Sequence, residues 1–491
     1  MGCLPFWTAA YLPLMDLPQH VAVIAELSRF ATDPHAQATY TVHLFPNSNV
    51  LFQVLGWGLS GPVGVDAAVR LALSLGMLAW ALASGALARA LGARPIAGVL
   101  GLPLALGYPL ASGYVNFWLA WPAAMGVWAL LLRGGRRGLV GAAALAVAAF
   151  LAHVQVWGFL LVTVPVVAVL SRAREAWRRA LVEAAATMGP GSLLALAWLV
   201  PSLGHHGTGD WRDAGGGHLR WESGHAWMLG VWVRQFWITY NEPTQGLALG
   251  LWLAAVAAAA LDAGLSRRIT PLAIPAIGAW VASVVLPEHA INQFYIASRM
   301  VAPAALLTVL SLAPRGRLGG LAAGLGTAAW LVQVGTVGRA WEQVEPEAAG
   351  LREVVAAADP NLRMVAVTQS RGSVHAAEEV FLHAASWNTV DNGGEAAFSF
   401  TSFQSSPLRY ADLAPKWHLR PGQELHLWCS LVNGKLPAYD LYLLRAVGDR
   451  CAVRAHLEAA GALVAESGDW ALFAVNQPIP AWTAPESCGC K

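Results

Sequence analysis

The chain has 491 residues, of which 56% are hydrophobic and only 12% charged, with a formal net charge of +2. Soluble domains carry about a quarter charged residues, so this composition excludes a disordered chain, a fibre and an ordinary multidomain cytosolic enzyme. The near-balanced charge leaves no nucleic-acid footprint. What remains is a polytopic membrane protein with a soluble part attached.

About 20 apolar residues are needed for a helix to cross the hydrocarbon core. A partial first stretch, Gly2–Leu14, opens the chain, and fuller candidates follow at Asp66–Ala88, Pro95–Ala111, Val115–Leu132, Leu139–Ala152, Val156–Leu170 and Ala185–Pro201. Further candidates are Gly246–Leu265, Pro271–Leu286, Met300–Ala313 and Leu318–Val337. The pattern predicts about eleven spans. At 1.5 Å per residue the first stretch reaches only about 21 Å, so the native start is expected upstream. It lacks the basic leader and small-residue cleavage site of a signal peptide.

Arginines orient the spans. Arg89 and Arg94, then Arg133, Arg136 and Arg137, then Arg172, Arg174, Arg178 and Arg179, then Arg267 and Arg268, and finally Arg315 and Arg317 all fall on one side when spans alternate. The positive-inside rule makes that side the cytoplasm. The other loops, including 15–50 and 204–245, and everything beyond about Arg339 then face outward. All 14 histidines sit on or near the outer side. Longer outer loops account for much of that bias, but not for His153 at a span edge, where burying polarity is costly.

Composition turns soluble from about Gly350, giving a division into a multi-span domain at 1–338, a small extracytoplasmic α/β domain at 339–476 and a loose tail at 477–491. Strands are predicted at Met364–Thr368, Glu424–Leu431 and Tyr439–Ala446, helices at His375–Ala385 and Asp449–Ala460, and a closing hairpin at Leu463–Val475 that turns at Gly468. Cys429 and Cys451 lie on the oxidising side, where a bridge is open to them, although spacing alone does not decide its geometry.

The first outer loop carries Asp16-Leu17-Pro18-Gln19-His20. Asp16 has two readings. It could be the N-cap of a surface helix Leu17–Phe30 with Pro18 in its first turn, or a partly desolvated carboxylate at the membrane boundary serving as base or metal ligand. His20 follows four residues later on the same helix face, and with His43 and His153 it could complete a His/carboxylate site for a divalent cation such as Mg or Mn, although no metal-spacing motif is present. Arg299, planar and always charged, suits a lipid phosphate, and equally a snorkelling side chain. Arg234, in the amphipathic stretch Trp227–Tyr240, is a second phosphate candidate. Asn116 follows a turn at Gly113, where Asn tolerates left-handed geometry. Glu288 and His289 occupy another outer loop. The loop Gly204–Ala226, with His205, His206, Asp210, Trp211 and Trp221, reads as a sugar-stacking lid or as an interfacial loop with tryptophans at headgroup level.

Asp16-Leu17-Pro18-Gln19-His20 resembles the D-L-P-N/Q-H signature of bacterial GT-C-type integral-membrane glycosyltransferases. Further similar stretches are Pro46-Asn47-Ser48-Asn49, Gly113 to Trp118, Ala152-His153, Tyr295 to Arg299, and Gly393-Gly394 with Phe400. The resemblance implies a polytopic GT-C-like fold with a C-terminal extracytoplasmic domain in the bacterial inner membrane. It implies a sugar moved from a polyprenyl-phosphate donor to a glycan, lipid or protein acceptor outside the cytoplasm. Asp16 would be the base or a ligand of an activating metal, and His20, His43, Asn47, Asn116, His153, Arg234, Glu288, His289 and Arg299 would bind substrate. This reading expects an outer-leaflet cavity lined by Asp16, His20, His153 and Arg299. No second acidic residue adjoins Asp16, unlike the Asp-Glu pair of protein mannosyltransferases, and no Gly-rich nucleotide loop is evident. Two rival classes remain: a non-catalytic scaffold of an envelope-assembly complex, in which Asp16 is only a cap, and a lipid or solute transporter, which would need polar groups through the membrane or a broken-helix repeat.

Overall fold

The computed structural model describes residues 1–172, 174–204, 219–220, 239–266, 270–290, 293–368, 370–403, 405–412, 415, 417–419, 422–432, 434–445, 453–475 and 479. Two compact units emerge, neither continuous in sequence. One gathers Met1–Thr8, Leu44–Phe52 and Arg70–Ala340, and the other gathers Ala9–His43, Gln53–Val69 and Trp341–Lys491.

The first unit is helical. Among the described residues five helices are long and apolar enough to cross a membrane: Val65–Ala90, Val115–Arg133, Trp177–Val200, Pro243–Leu265 and Arg317–Ala348. Shorter apolar helices include Val154–Leu170 and Ala273–Val285. Their polarity is that of a lipid-solvated bundle. Leu82, Val162, Leu193 and Ile277 are exposed, while Trp118, Trp121 and Trp128 are fully buried. With no hydrophobic drive between helices in lipid, small residues let them approach. A Cβ on Gly76 would sit 2.2 Å from the Trp118 ring. Asp262 is structural: it accepts the backbone N–H groups of Arg315, Gly316 and Gly319 and so caps the start of the helix Arg317–Ala348.

Two expected spans are not single helices. Pro95–Ala111 breaks into a 3-10 helix Pro95–Gly101 and short helices Leu102–Ala105 and Tyr108–Ala111. Prolines at 95, 103 and 109 remove donors, and Gly98 packs so tightly on the helix Val65–Ala90 that a Cβ would lie 2.5 Å from the Gly85 nitrogen. At the N-terminus only Leu4–Thr8 is helical. Beyond it the Ala10 N–H donates to the Glu345 carboxylate and the Tyr11 hydroxyl to the Val380 carbonyl, so this stretch belongs to the second unit.

The second unit is built on a five-stranded mixed sheet in the order Glu395–Ala396, Arg363–Thr368, Leu441–Arg445, Trp470–Val475, Gly461–Ser467. The first three strands run parallel and the closing hairpin antiparallel. Its interior joins Val365, Val367, Leu444 and Phe473 with Leu431 and Leu457 from flanking helices. Arg445, 2% exposed, bonds Glu347 at 2.6 Å and the carbonyls of Ser370 and Gly372, and lies over the Phe381 ring.

Two sequence expectations are overturned here. Glu424–Leu431 is not a strand but a 3-10 turn followed by the helix Leu427–Val432, because Leu427 and Leu431, one helical turn apart, face the sheet. His375–Ala385 is not a helix. The Phe381 N–H bonds the Arg371 carbonyl and the Val380 carbonyl accepts Tyr11, so helical pairing begins only at Ser386–Asn392. The helix expected at Asp449–Ala460 runs Val453–Ala460, and Cys451 lies outside the described residues.

The helix Leu17–Arg29 starts where expected and ends one residue short of Phe30, but its setting is not the expected one. Every residue from Leu17 to Leu27 is buried, so it is a core helix, not a surface one. It packs on the helix Ser386–Asn392 and approaches the helix Leu51–Val63 at Gly56, where a Cβ would meet Ile24 at 2.4 Å. Gly393 ends Ser386–Asn392 at φ +68°, and a Cβ on Gly394 would strike the Leu362 carbonyl at 2.3 Å. That crowding explains the glycine pair.

Candidate functional site

Asp16 occupies the N-cap position of the helix Leu17–Arg29, yet its side chain makes no capping hydrogen bond. The capping reading therefore fails in its physical content. The Asp16 carboxylate turns instead to His383, whose Nε2 lies 3.3 Å from Oδ1, with the two side chains 5% and 14% exposed. The His383 ring stacks on Phe398, centroids 5.4 Å apart and planes 20° apart, with Phe400 edge-on at 6.1 Å. Gln19 secures these aromatics: its Nε2 donates to the Phe398 carbonyl at 2.9 Å, and its Oε1 accepts the Phe400 N–H at 3.0 Å.

His20 points into the same neighbourhood. Its Nδ1 accepts from the Gln53 amide at 2.7 Å and its ring meets Phe400 edge-on at 5.2 Å. Glu424 stands close enough to feel both Asp16 and His383. Burial pushes its carboxyl up, with Asp16 acting in the same direction and His383 against. Its Oε2 is buried without a hydrogen-bond partner. His43 is exposed beside the strand pair Tyr40–Val42 and Leu408–Tyr410, bonded to the Thr41 hydroxyl at 3.0 Å. Burial and the Arg409 charge hold its imidazole below the usual range.

The first unit holds a second polar cluster. His153 separates the helices Arg136–Ala152 and Val154–Leu170 in extended conformation, its Nδ1 facing the Gln155 N–H at 3.3 Å. Arg299 Nη1 lies 3.4 Å from His153 Nε2, and its guanidinium stacks 4.0 Å over the Tyr114 ring. Two donors thus face one imidazole, an arrangement that disfavours the imidazolium. Among the described residues no carboxylate ion-pairs with Arg299, and its Nε is buried without a hydrogen-bond partner. Glu288 shapes the turn before Arg299: it accepts the Ser298 hydroxyl at 3.0 Å, and Gln155 donates to the Ile296 carbonyl.

Asn116 ties backbone together. Its Oδ1 accepts the Phe52 N–H at 2.9 Å and its Nδ2 donates to the Asn49 carbonyl at 2.7 Å. It sits within the helix Val115–Arg133, and the left-handed position at this turn is Gly113, at φ +74°. Asn47 is fully buried. Arg234 and the loop residues 205–218 and 221–238 lie outside the described residues, as does the side chain of His289.

Asp16 and His20 thus fall in the second unit, and His153 and Arg299 in the first. Sequence reasoning missed His383, Glu424 and Gln53. His383 sits in the apolar run Val380 to Ala385, which carries no motif. Among the described residues no group of three or more His, Cys, Asp or Glu could hold a metal. Asp16 faces His383, and His20 faces Gln53.

These features define a polytopic helical membrane protein that carries a unit built on a mixed sheet. The crystal structure of ArnT from Cupriavidus metallidurans bound to undecaprenyl phosphate is similar over 96% of this chain and 95% of that one, with a TM-score of 0.55 and 14% identity. At that identity the likeness speaks for the fold alone. No protein-family model and no curated protein sequence matches the chain.

Proposed function

We propose that this chain is a membrane glycosyltransferase that moves a sugar from a polyprenyl-phosphate donor to an acceptor hydroxyl on the extracytoplasmic side of the bacterial inner membrane. The observation that carries the reading is Asp16, a carboxylate released from capping its helix and held by His383 among buried aromatics. In the transfer, the acceptor oxygen attacks C1 of the sugar, its proton passes to the Asp16 carboxylate, and the C1–O bond to phosphate breaks with the electron pair leaving on phosphate. Arg299 is the proposed phosphate holder. It is a guanidinium whose described partners are an aromatic face and an imidazole, leaving its charge for an anion. The fold shared with a protein crystallised with undecaprenyl phosphate supports a polyprenyl-phosphate donor. The arginine-rich loops support an outward-facing second unit.

The test is transfer in membranes, supplied with a panel of radiolabelled polyprenyl-phosphate sugars, by wild type, Asp16→Asn and Asp16→Ala. Loss of about 10²–10⁴-fold in both variants at normal expression is expected for a missing base. Wild-type transfer undiminished in Asp16→Asn would remove Asp16 from the chemistry and place the base elsewhere.

A further inference from the structure

We infer that His383 is the positioning residue of Asp16, an inference that rests on the role proposed for Asp16 above. Three observations converge on it. Asp16 sits where a helix-capping aspartate would, yet bonds no backbone N–H of its helix, so some other group must fix its carboxylate. The group facing it is His383 Nε2, 3.3 Å away on a side chain 5% exposed. The imidazole is in turn locked to the helix that carries Asp16, because it stacks on Phe398, whose carbonyl hangs from Gln19, three residues beyond Asp16. The loop therefore closes on itself: Asp16, His383, Phe398, Gln19 and back to Asp16.

The chemistry follows from the inventory of donors. An ionised carboxylate only accepts, so Nε2 must carry a proton and donate to Oδ1. That leaves Oδ2 for the acceptor hydroxyl and holds the carboxylate in one rotamer. A second carboxylate, Glu424, acts electrostatically on the imidazole, and its buried Oε2 has no hydrogen-bond partner. With Nε2 donating to Oδ1, Oδ2 of Asp16 takes the proton released by the acceptor. His383 itself breaks and forms no bond to substrate.

The experiment uses the full chain in membranes, with donor and acceptor titrated separately. His383→Phe keeps an aromatic ring against Phe398 and removes the N–H, whereas His383→Gln keeps a donor of similar reach. His383→Phe is expected to lower kcat by about 10- to 100-fold, the loss typical of a hydrogen bond to a charged group, with KM for both substrates within about threefold. His383→Gln should recover to within about fivefold of wild type. Combined with Asp16→Asn, His383→Phe should lower kcat no further, since it acts only through Asp16. Equal losses in Phe and Gln variants, a loss confined to KM, or additive loss in the double variant would overturn the inference. Full activity in His383→Phe beside an inactive Asp16→Asn would sink this inference alone, while full activity in Asp16→Asn would sink the parent reading as well.

Discussion

Glu26 lies on the buried helix that begins beside Asp16, and its carboxyl is 1% exposed. Burial raises its pKa from an ordinary 4.5 to about 8, with Arg29 at 3.7 Å opposing and Asp33 and Glu395 reinforcing the rise. Between those two values the unfolded chain has released the proton while the folded chain keeps it. Stability from this group is therefore complete below 4.5 and is lost as pH climbs through 8. Each pH unit of mismatch is worth about 1.4 kcal/mol. The advantage of Glu26→Gln over wild type should therefore grow from about 1 kcal/mol at pH 5 to about 4 kcal/mol at pH 8. Any fixed cost of the amide cancels in that difference. The assay is thermal unfolding of both proteins in lipid nanodiscs at pH 5, 6.5 and 8, read by tryptophan fluorescence. A gap in melting temperature that stays constant across pH would show that Glu26 is ionised in the fold and that the burial argument is wrong.

Two further outcomes are open to measurement. Arg299→Lys should raise KM for the polyprenyl-phosphate donor by about tenfold and Arg299→Ala by about 100-fold, because a charged hydrogen bond to phosphate carries roughly 1.5–3 kcal/mol; an unchanged KM in a donor titration would remove Arg299 from phosphate binding. His418 is half-buried with Nε2 accepting the Ser399 N–H at 2.9 Å, and desolvation lowers its pKa from 6.5 to about 4. In that window the unfolded chain takes the proton first, so stability present above 6.5 is lost as pH falls through 4, by up to about 3 kcal/mol. The acid slope of the melting temperature should flatten in His418→Gln.

The sequence alone determined the membrane class, because an apolar surface must be written into composition whatever the topology. Long helices such as Val115–Arg133 and Pro243–Ser266 were legible from hydropathy, and the closing hairpin from its Gly468 turn. The helix behind Asp16 was legible as well, to within one residue at its end. Where local pattern and tertiary partners competed, the sequence misled. Leu427 and Leu431 read as alternation, but the sheet face they meet selects a helix. Pro95–Ala111 read as one span, but three prolines and a close packing at Gly98 break it. Only the tertiary structure decided what Asp16 faces. A capping aspartate and a base look identical in sequence, and the difference is a histidine 367 positions along the chain, brought to 3.3 Å by a glutamine and two phenylalanines that no local periodicity marks.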